Sequence, residues 1–267
     1  MKKTKNNFAR LRLCALVIMV MWLMLSVNSA YAEWHFGIGT GMARNSASGD
    51  QGFHTDIAGP VKYDLDLTPK DFDDLMQTAF GFGGYATNGG WVIQYSFSQV
   101  GLGGDGKLTT PGGTPVKVDV DFDITEAELT ATRYVYKMKH AVLGVLGGVR
   151  YTKHKLSTDI DIGNPFNTEI DEDISNSWTD ALIGASVTVP FSKKWAWNTM
   201  VNAGFGGSEG TYHAGTALTW RFLKHWSATA NYQYTAVDFE NDSKGDSDWY
   251  LYDVDESSYG ITVMFNW

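Results

Sequence analysis

The last nine residues alternate strictly. Tyr259, Ile261, Val263, Phe265 and Trp267 point to one side of an extended chain, and Gly260, Thr262, Met264 and Asn266 to the other. Side chains of a strand alternate with period two, so this segment is a strand with one apolar face. In a water-soluble sandwich that face would turn to a core. Here the opposite face is repeatedly Gly, Ser, Thr, Asn and Gln, and the apolar face ends in aromatics. A lipid-out, polar-in wall with aromatic girdles is the pattern of a transmembrane β-barrel.

The pattern recurs along the chain. Strands are predicted at about 34–43, 75–86, 91–100, 118–136, 141–152, 178–189, 195–206, 211–221, 226–237 and at the C-terminal end. In strand four the apolar parity changes from even (Val118, Val120, Phe122, Ile124) to odd (Ala127, Leu129, Ala131), and a β-bulge near Thr125 accounts for the change. Thr87-Asn88-Gly89-Gly90 reads as a tight turn. The fold class is therefore all-β, an antiparallel up-and-down transmembrane barrel of ten strands. Eight or twelve are the alternatives if the 207–210 boundary is misplaced. An even count leaves both termini on the periplasmic side, with short turns at 87–90, 137–140, 189–194 and 222–225. Long extracellular loops fall at about 44–74, 101–117, 153–177 and 238–255. Closure has a physical cause: an open edge in lipid leaves N–H and C=O groups unpaired. Inside the first loop, Thr68-Pro69-Lys70-Asp71 reads as an N-cap, an N1 proline and a first-turn acid, opening a short helix through Leu75.

The leader fits this destination. Lys2 to Arg12 is basic, Leu13 to Val27 is an apolar run, and Ala30-Tyr31-Ala32 is a small-residue cleavage site. Residues 1–32 are thus a secretory signal peptide cleaved after Ala32, and 33–267 the barrel. Five of the 21 basic residues lie in that leader, which has no acid, leaving 16 basic against 30 acidic groups and a net charge of −14. So acidic a chain is no nucleic-acid binder. The only cysteine, Cys14, also lies in the leader. The remainder has no disulfide, thiolate nucleophile or cysteine zinc site.

Parity turns Arg150 inward, and Glu126, Glu128 and Asp180 with it. An arginine among carboxylates in a narrow lumen makes charge-assisted, bidentate hydrogen bonds. These four residues form a candidate polar network, which either fills the lumen or constricts it around passing solutes. The outer loops are acidic (Asp64, Asp66, Asp71, Asp73, Asp74; Asp159, Asp161, Glu169, Asp171, Glu172, Asp173; Asp238 to Glu256). Carboxylates in that number suit divalent cations bridging to lipopolysaccharide, although no EF-hand loop is present. His154 with Asp159, and His213 with Ser208, are the only hints of catalysis, and no G-x-S-x-G elbow accompanies them.

The terminal Tyr259-x-Ile261-x-Val263-x-Phe265-x-Trp267 resembles the C-terminal signature of Gram-negative outer-membrane barrels. In those proteins the barrel-assembly machinery reads these positions. The wider chain resembles the small barrels grouped around the OmpA-type transmembrane domain and the OmpW-like and porin-like proteins. Gly147-Gly148-Val149-Arg150-Tyr151, Trp178-Thr179-Asp180 and Ala203-Gly204-Phe205-Gly206-Gly207-Ser208 resemble a set of mostly uncharacterised barrels, with Asn202 near a position where those carry an acid. The resemblance implies residence in the outer membrane among lipid and lipopolysaccharide, and no cofactor. Two functions follow from sequence: a non-enzymatic structural or surface-interaction role, or a narrow pore for small solutes. An outer-membrane protease or lipid-modifying enzyme is a distant third.

Overall fold

A computed structural model describes residues 33–55, 59–109, 115–162 and 168–267. The expected signal peptide, residues 1–32, lies outside them. The elements are β1 (His35–Thr55), β2 (Gly59–Leu67), α1 (Pro69–Leu75), β3 (Met76–Thr87), β4 (Trp91–Thr109), β5 (Pro115–Lys137), β6 (Val142–Ile162), β7 (Thr168–Pro190), β8 (Trp195–Phe205), β9 (Gly210–Leu223), β10 (Trp226–Asn241) and β11 (Tyr250–Asn266).

Neighbours pair antiparallel from β3 round to β11, and β1 closes the ring. It pairs with β11 from Gly37↔Asn266 to Phe53↔Tyr250, and with β3 from His35↔Thr87 to Thr40↔Phe82. Ten strands make the barrel. The eleventh, β2, folds back on the upper part of β1 from Ala47↔Leu67 to Thr55↔Gly59.

Short turns connect β3 to β4, β5 to β6, β7 to β8 and β9 to β10, at the end that also holds both chain ends of the ring. In this architecture that end is periplasmic. The expected helix forms with its capping box: the Thr68 hydroxyl accepts from the Asp71 amide, and the Asp71 carboxylate accepts from the Thr68 amide. The Thr68 hydroxyl also donates to that carboxylate at 2.6 Å, and together with the amide it holds the Asp71 carboxyl below its ordinary value.

The stretches read as long outer loops are instead largely strand. β5, β6 and β7 run 23, 21 and 23 residues, about twice the 9–11 that cross a bilayer. On β6 the outward residues Val145, Val149 and Tyr151 are apolar and exposed, and Lys153 and Lys155 follow. The membrane thus ends near Tyr151, and the wall continues above it as a tower.

No bulge occurs at Thr125. β5 runs in unbroken register with β4 and β6 through that residue, and its irregularity lies at Tyr134/Tyr136. The even side chains face inward along the strand. What changes is the surroundings. Within the membrane the apolar side must face lipid. In the tower it must face away from water, so Phe122 and Ile124 turn in and Asp119 and Asp121 turn out.

Candidate functional site

The tower interior is a hydrophobic core. Ala47, Phe72, Leu102, Trp178, Phe239, Tyr250, Tyr252 and Val254 are buried there, with Phe122 and Val100 packed against them. β1, β4, β5, β7, β10, β11 and α1 all contribute, so the core stops the lumen from side to side. Trp178 and Phe239 stack at 4.1 Å, and Asn241 donates to the Asn176 side chain at 3.3 Å. Both contacts join β7 to β10 over the short β8–β9 hairpin, where the tower wall is low.

His154 sits at the centre, 2 % exposed. Its ring makes edge contacts with Phe122, Trp178, Tyr250 and Tyr252. Burial holds the imidazole down at about 3, against an ordinary 6.5, because a charged ring has no solvent there. Its Nδ1 shares a hydrogen bond with the Tyr250 hydroxyl at 2.8 Å. That hydroxyl accepts from Gln51 at 3.4 Å, and Gln51 accepts from the Tyr63 hydroxyl at 2.7 Å. Burial pushes the Tyr250 and Tyr252 hydroxyls up, and Tyr63 up to about 12. Sequence reading missed this stopper. The one available signal was the inward parity of Phe122 and Ile124, which looked like a register fault.

Below the stopper lies the charged layer. Arg150 donates from Nε and one terminal nitrogen to the same Glu128 oxygen, at 2.9 and 2.6 Å. Glu126 and Glu256 act on the guanidinium electrostatically, and Glu256 accepts from the Tyr252 hydroxyl at 2.6 Å. Asp180 departs from the expected network although its backbone is in register with Arg150. Its carboxylate accepts from the Gly207 and Ser208 amides at 3.0 and 2.8 Å and from the Ser208 and Thr211 hydroxyls at 2.7 and 3.0 Å. Four donors, three from the β8–β9 loop and one from the start of β9, compete better for it than a guanidinium already engaged by Glu128. Glu256, contributed by the far end of the chain, takes the place given to Asp180.

The His–Asp and His–Ser pairs noted in the sequence do not form. His213 bonds Thr235 through Nδ1 at 3.0 Å, and Ser208 is held by Asp180. Among the described residues no three His, Cys, Asp or Glu side chains converge as metal ligands. A cavity of about 470 Å³ lies under the stopper, lined in part by Glu126, Glu128, Arg150, His213, Gln233 and Glu256.

The terminal strand closes the barrel. Phe36 and Trp267 exchange backbone hydrogen bonds at 2.9 and 3.0 Å, and their rings stack at 5.8 Å. Ile261, Val263 and Phe265 face lipid beside Trp267, and Tyr259 faces out at the upper boundary. Trp195 stacks on Trp220 at 5.6 Å in the same lower girdle. A closed ring, an apolar band and aromatic girdles define an integral β-barrel protein of the Gram-negative outer membrane.

No family model matches the chain, and no curated protein matches it. Solved structures of similar shape include Ail, the attachment invasion locus protein of Yersinia pestis, in complex with the heparin analogue sucrose octasulfate. It is 15% identical with a TM-score of 0.37, over 88% of this chain and 99% of that one. The translocator domain of the autotransporter NalP from Neisseria meningitidis is 13% identical with a TM-score of 0.41, over 98% and 97%. The outer membrane protease OmpT from Escherichia coli is 8% identical with a TM-score of 0.39, over 90% and 98%.

Proposed function

We propose that this is a closed, non-enzymatic outer-membrane barrel whose role is carried by the tower, through contact with cationic groups at the cell surface. The stopper is the observation that supports closure. A seven-element apolar core offers water neither width nor hydrogen bonds, and a conducting lumen needs both.

The tower's outer face supports the surface role. Asp105, Asp119, Asp159 and Asp171 are exposed, and each lies opposite the next across β4, β5, β6 and β7. Like charges directly opposite destabilise a sheet. Retained reduced solvation, then Asp171, Asp119 and Asp121, raise the Asp159 carboxyl above its ordinary value. Such a row matches a cationic partner or bridging divalent ions. Nearer the bilayer, exposed Lys153 and Lys155 suit lipopolysaccharide phosphates.

The test is single-channel recording of the refolded mature protein in a planar bilayer, beside the variant Trp178→Ala/Tyr252→Ala. Silence in the wild type and discrete openings in the variant are expected. Steady wild-type conductance would overturn closure in favour of the pore.

A further inference from the structure

The barrel wall is not continuously paired. β1 meets β3 only up to Thr40↔Phe82, and meets β2 only from Ala47↔Leu67. Among the described residues, the segment from Gly41 to Ser46 has a strand partner on its β11 side alone. The facing edge of β3, Met76 to Gly81, pairs with β4 alone. Exposure shows the same interruption. Alternation between inside and outside is lost at Thr40–Arg44 and again at Gln77–Phe80, where every residue is exposed. Above the gap, α1 crosses it, tied by Arg44 to Asp73 at 2.9 Å and anchored by buried Phe72. Below it, Thr40 Oγ1 donates to the Gly81 carbonyl at 2.6 Å.

The gap lies at the upper edge of the apolar band, since the outward residues beside it are Met42 and Phe80, 86% and 61% exposed. Bare strand edges are costly against hydrocarbon, so the wall is weakest here. The lumen cavity reaches this point: its lining includes inward Glu126 and Glu256 and also outward-facing Met42 and Phe82. The cavity therefore opens sideways, through the wall, towards the outer leaflet.

Its charge selects what can enter. Glu126, Glu128 and Glu256 line it against Arg150, which Glu128 engages. Glu256 has the Tyr252 hydroxyl. Among the described residues Glu126 has no hydrogen-bond donor; burial acts on it first, and Arg150 and Glu128 are the charges that face it. The polar end of the cavity thus sets three carboxyl groups against one guanidinium, and the wall end is apolar.

We propose that this portal binds a cationic amphiphile, with a primary ammonium group at Glu126 and a single apolar chain lying out between β1 and β3 past Met42 and Phe82. An ammonium brings three donors and a second positive charge to a carboxyl group that has no donor of its own. An anionic head of the same length finds only acceptors and a guanidinium already engaged by Glu128. The site lies below the stopper, so it stands or falls independently of the surface role.

The experiment is native mass spectrometry of the refolded barrel released from non-ionic micelles, with octylammonium, octyl sulfate and butylammonium as probes. One octylammonium per barrel is expected, with octyl sulfate absent and butylammonium at least tenfold weaker. Glu126→Gln weakens octylammonium at least tenfold. Gly81→Leu fills the cavity and removes binding. A Cβ at Gly81 comes no closer than 3.4 Å to any neighbour, an ordinary van der Waals contact. Gly147→Leu, on the lipid face with the nearest atom at 3.6 Å, leaves binding unchanged. Should Gly81→Leu fail to fold, an octylammonium carrying a terminal diazirine replaces it, and labelling at Met42, Phe80 or Phe82 is expected. Equal binding of octyl sulfate, or of butylammonium, overturns the proposal. So does undiminished binding by Glu126→Gln, or label confined to other strands.

Discussion

Trp178 of β7 and Phe239 of β10 stack with ring centroids 4.1 Å apart and planes 17° from parallel. The ring separates their strands by a whole hairpin, so this contact replaces wall that β8 and β9 are too short to supply. Trp178→Ala is expected to destabilise the barrel by about 3–5 kcal/mol, as for other buried aromatics. Phe239→Ala should cost a similar amount. The double variant should recover about 0.5–1.5 kcal/mol of the summed loss. Urea unfolding followed by heat-modifiable gel mobility measures all three, and strict additivity would show that the rings do not act together.

Arg150 and Glu128 are 10% and 18% exposed in their side chains. Removing one partner of such a pair strands the other. Arg150→Ala should cost about 3–5 kcal/mol, and adding Glu128→Gln should return most of it. The same unfolding assay decides: a double variant no more stable than Arg150→Ala means that the isolated carboxylate is no burden.

His154 sets an acid limit on the stopper. Its folded value of about 3 lies below the ordinary 6.5. Above pH 6.5 the ring is neutral folded or unfolded, and its burial carries no proton cost. As pH falls below 6.5 the unfolded chain takes up a proton that the fold refuses, so stability declines progressively towards pH 3. Protease cleavage of the tower should rise over that window. His154→Phe should flatten this part of the profile, and an unchanged profile would remove His154 as its source.

The aligned row of Asp105, Asp119, Asp159 and Asp171 predicts a gain on neutralisation. Asp159→Asn should stabilise the protein by a few tenths to about 1 kcal/mol at low salt. The gain should shrink near 0.5 M sodium chloride, as screening shortens the reach of exposed charges. Thermal melts at the two salt concentrations provide the comparison. A gain independent of salt would point away from repulsion.

The barrel was legible because lipid imposes one rule on every strand that crosses it. Trp195, Trp197, Val201 and Phe205 had to face out, and short turns had to follow at one end. The tower was not legible, because the same inward parity there calls for Phe122 and Ile124 where the membrane section has Glu126 and Glu128. Read with one rule, that reversal looks like a bulge. Local hairpin register could place Arg150 between Glu126 and Glu128, and the structure pairs it with Glu128. Glu256 is 106 residues further along the chain than Arg150, and only ring closure brings it there. Asp180 pointed inward as parity required, but the loop amides that claim it lie in a connection with no periodicity to read.

The reversal at Thr125 also bears on fidelity during assembly. A one-residue slip of β5 would carry Phe122 and Ile124 into water and Asp121 and Asp123 into the stopper. The same slip would press Glu126 and Glu128 against hydrocarbon. A misaligned strand is thus rejected by two solvents simultaneously, one at each end, and proofreading of the register is written into a single continuous segment.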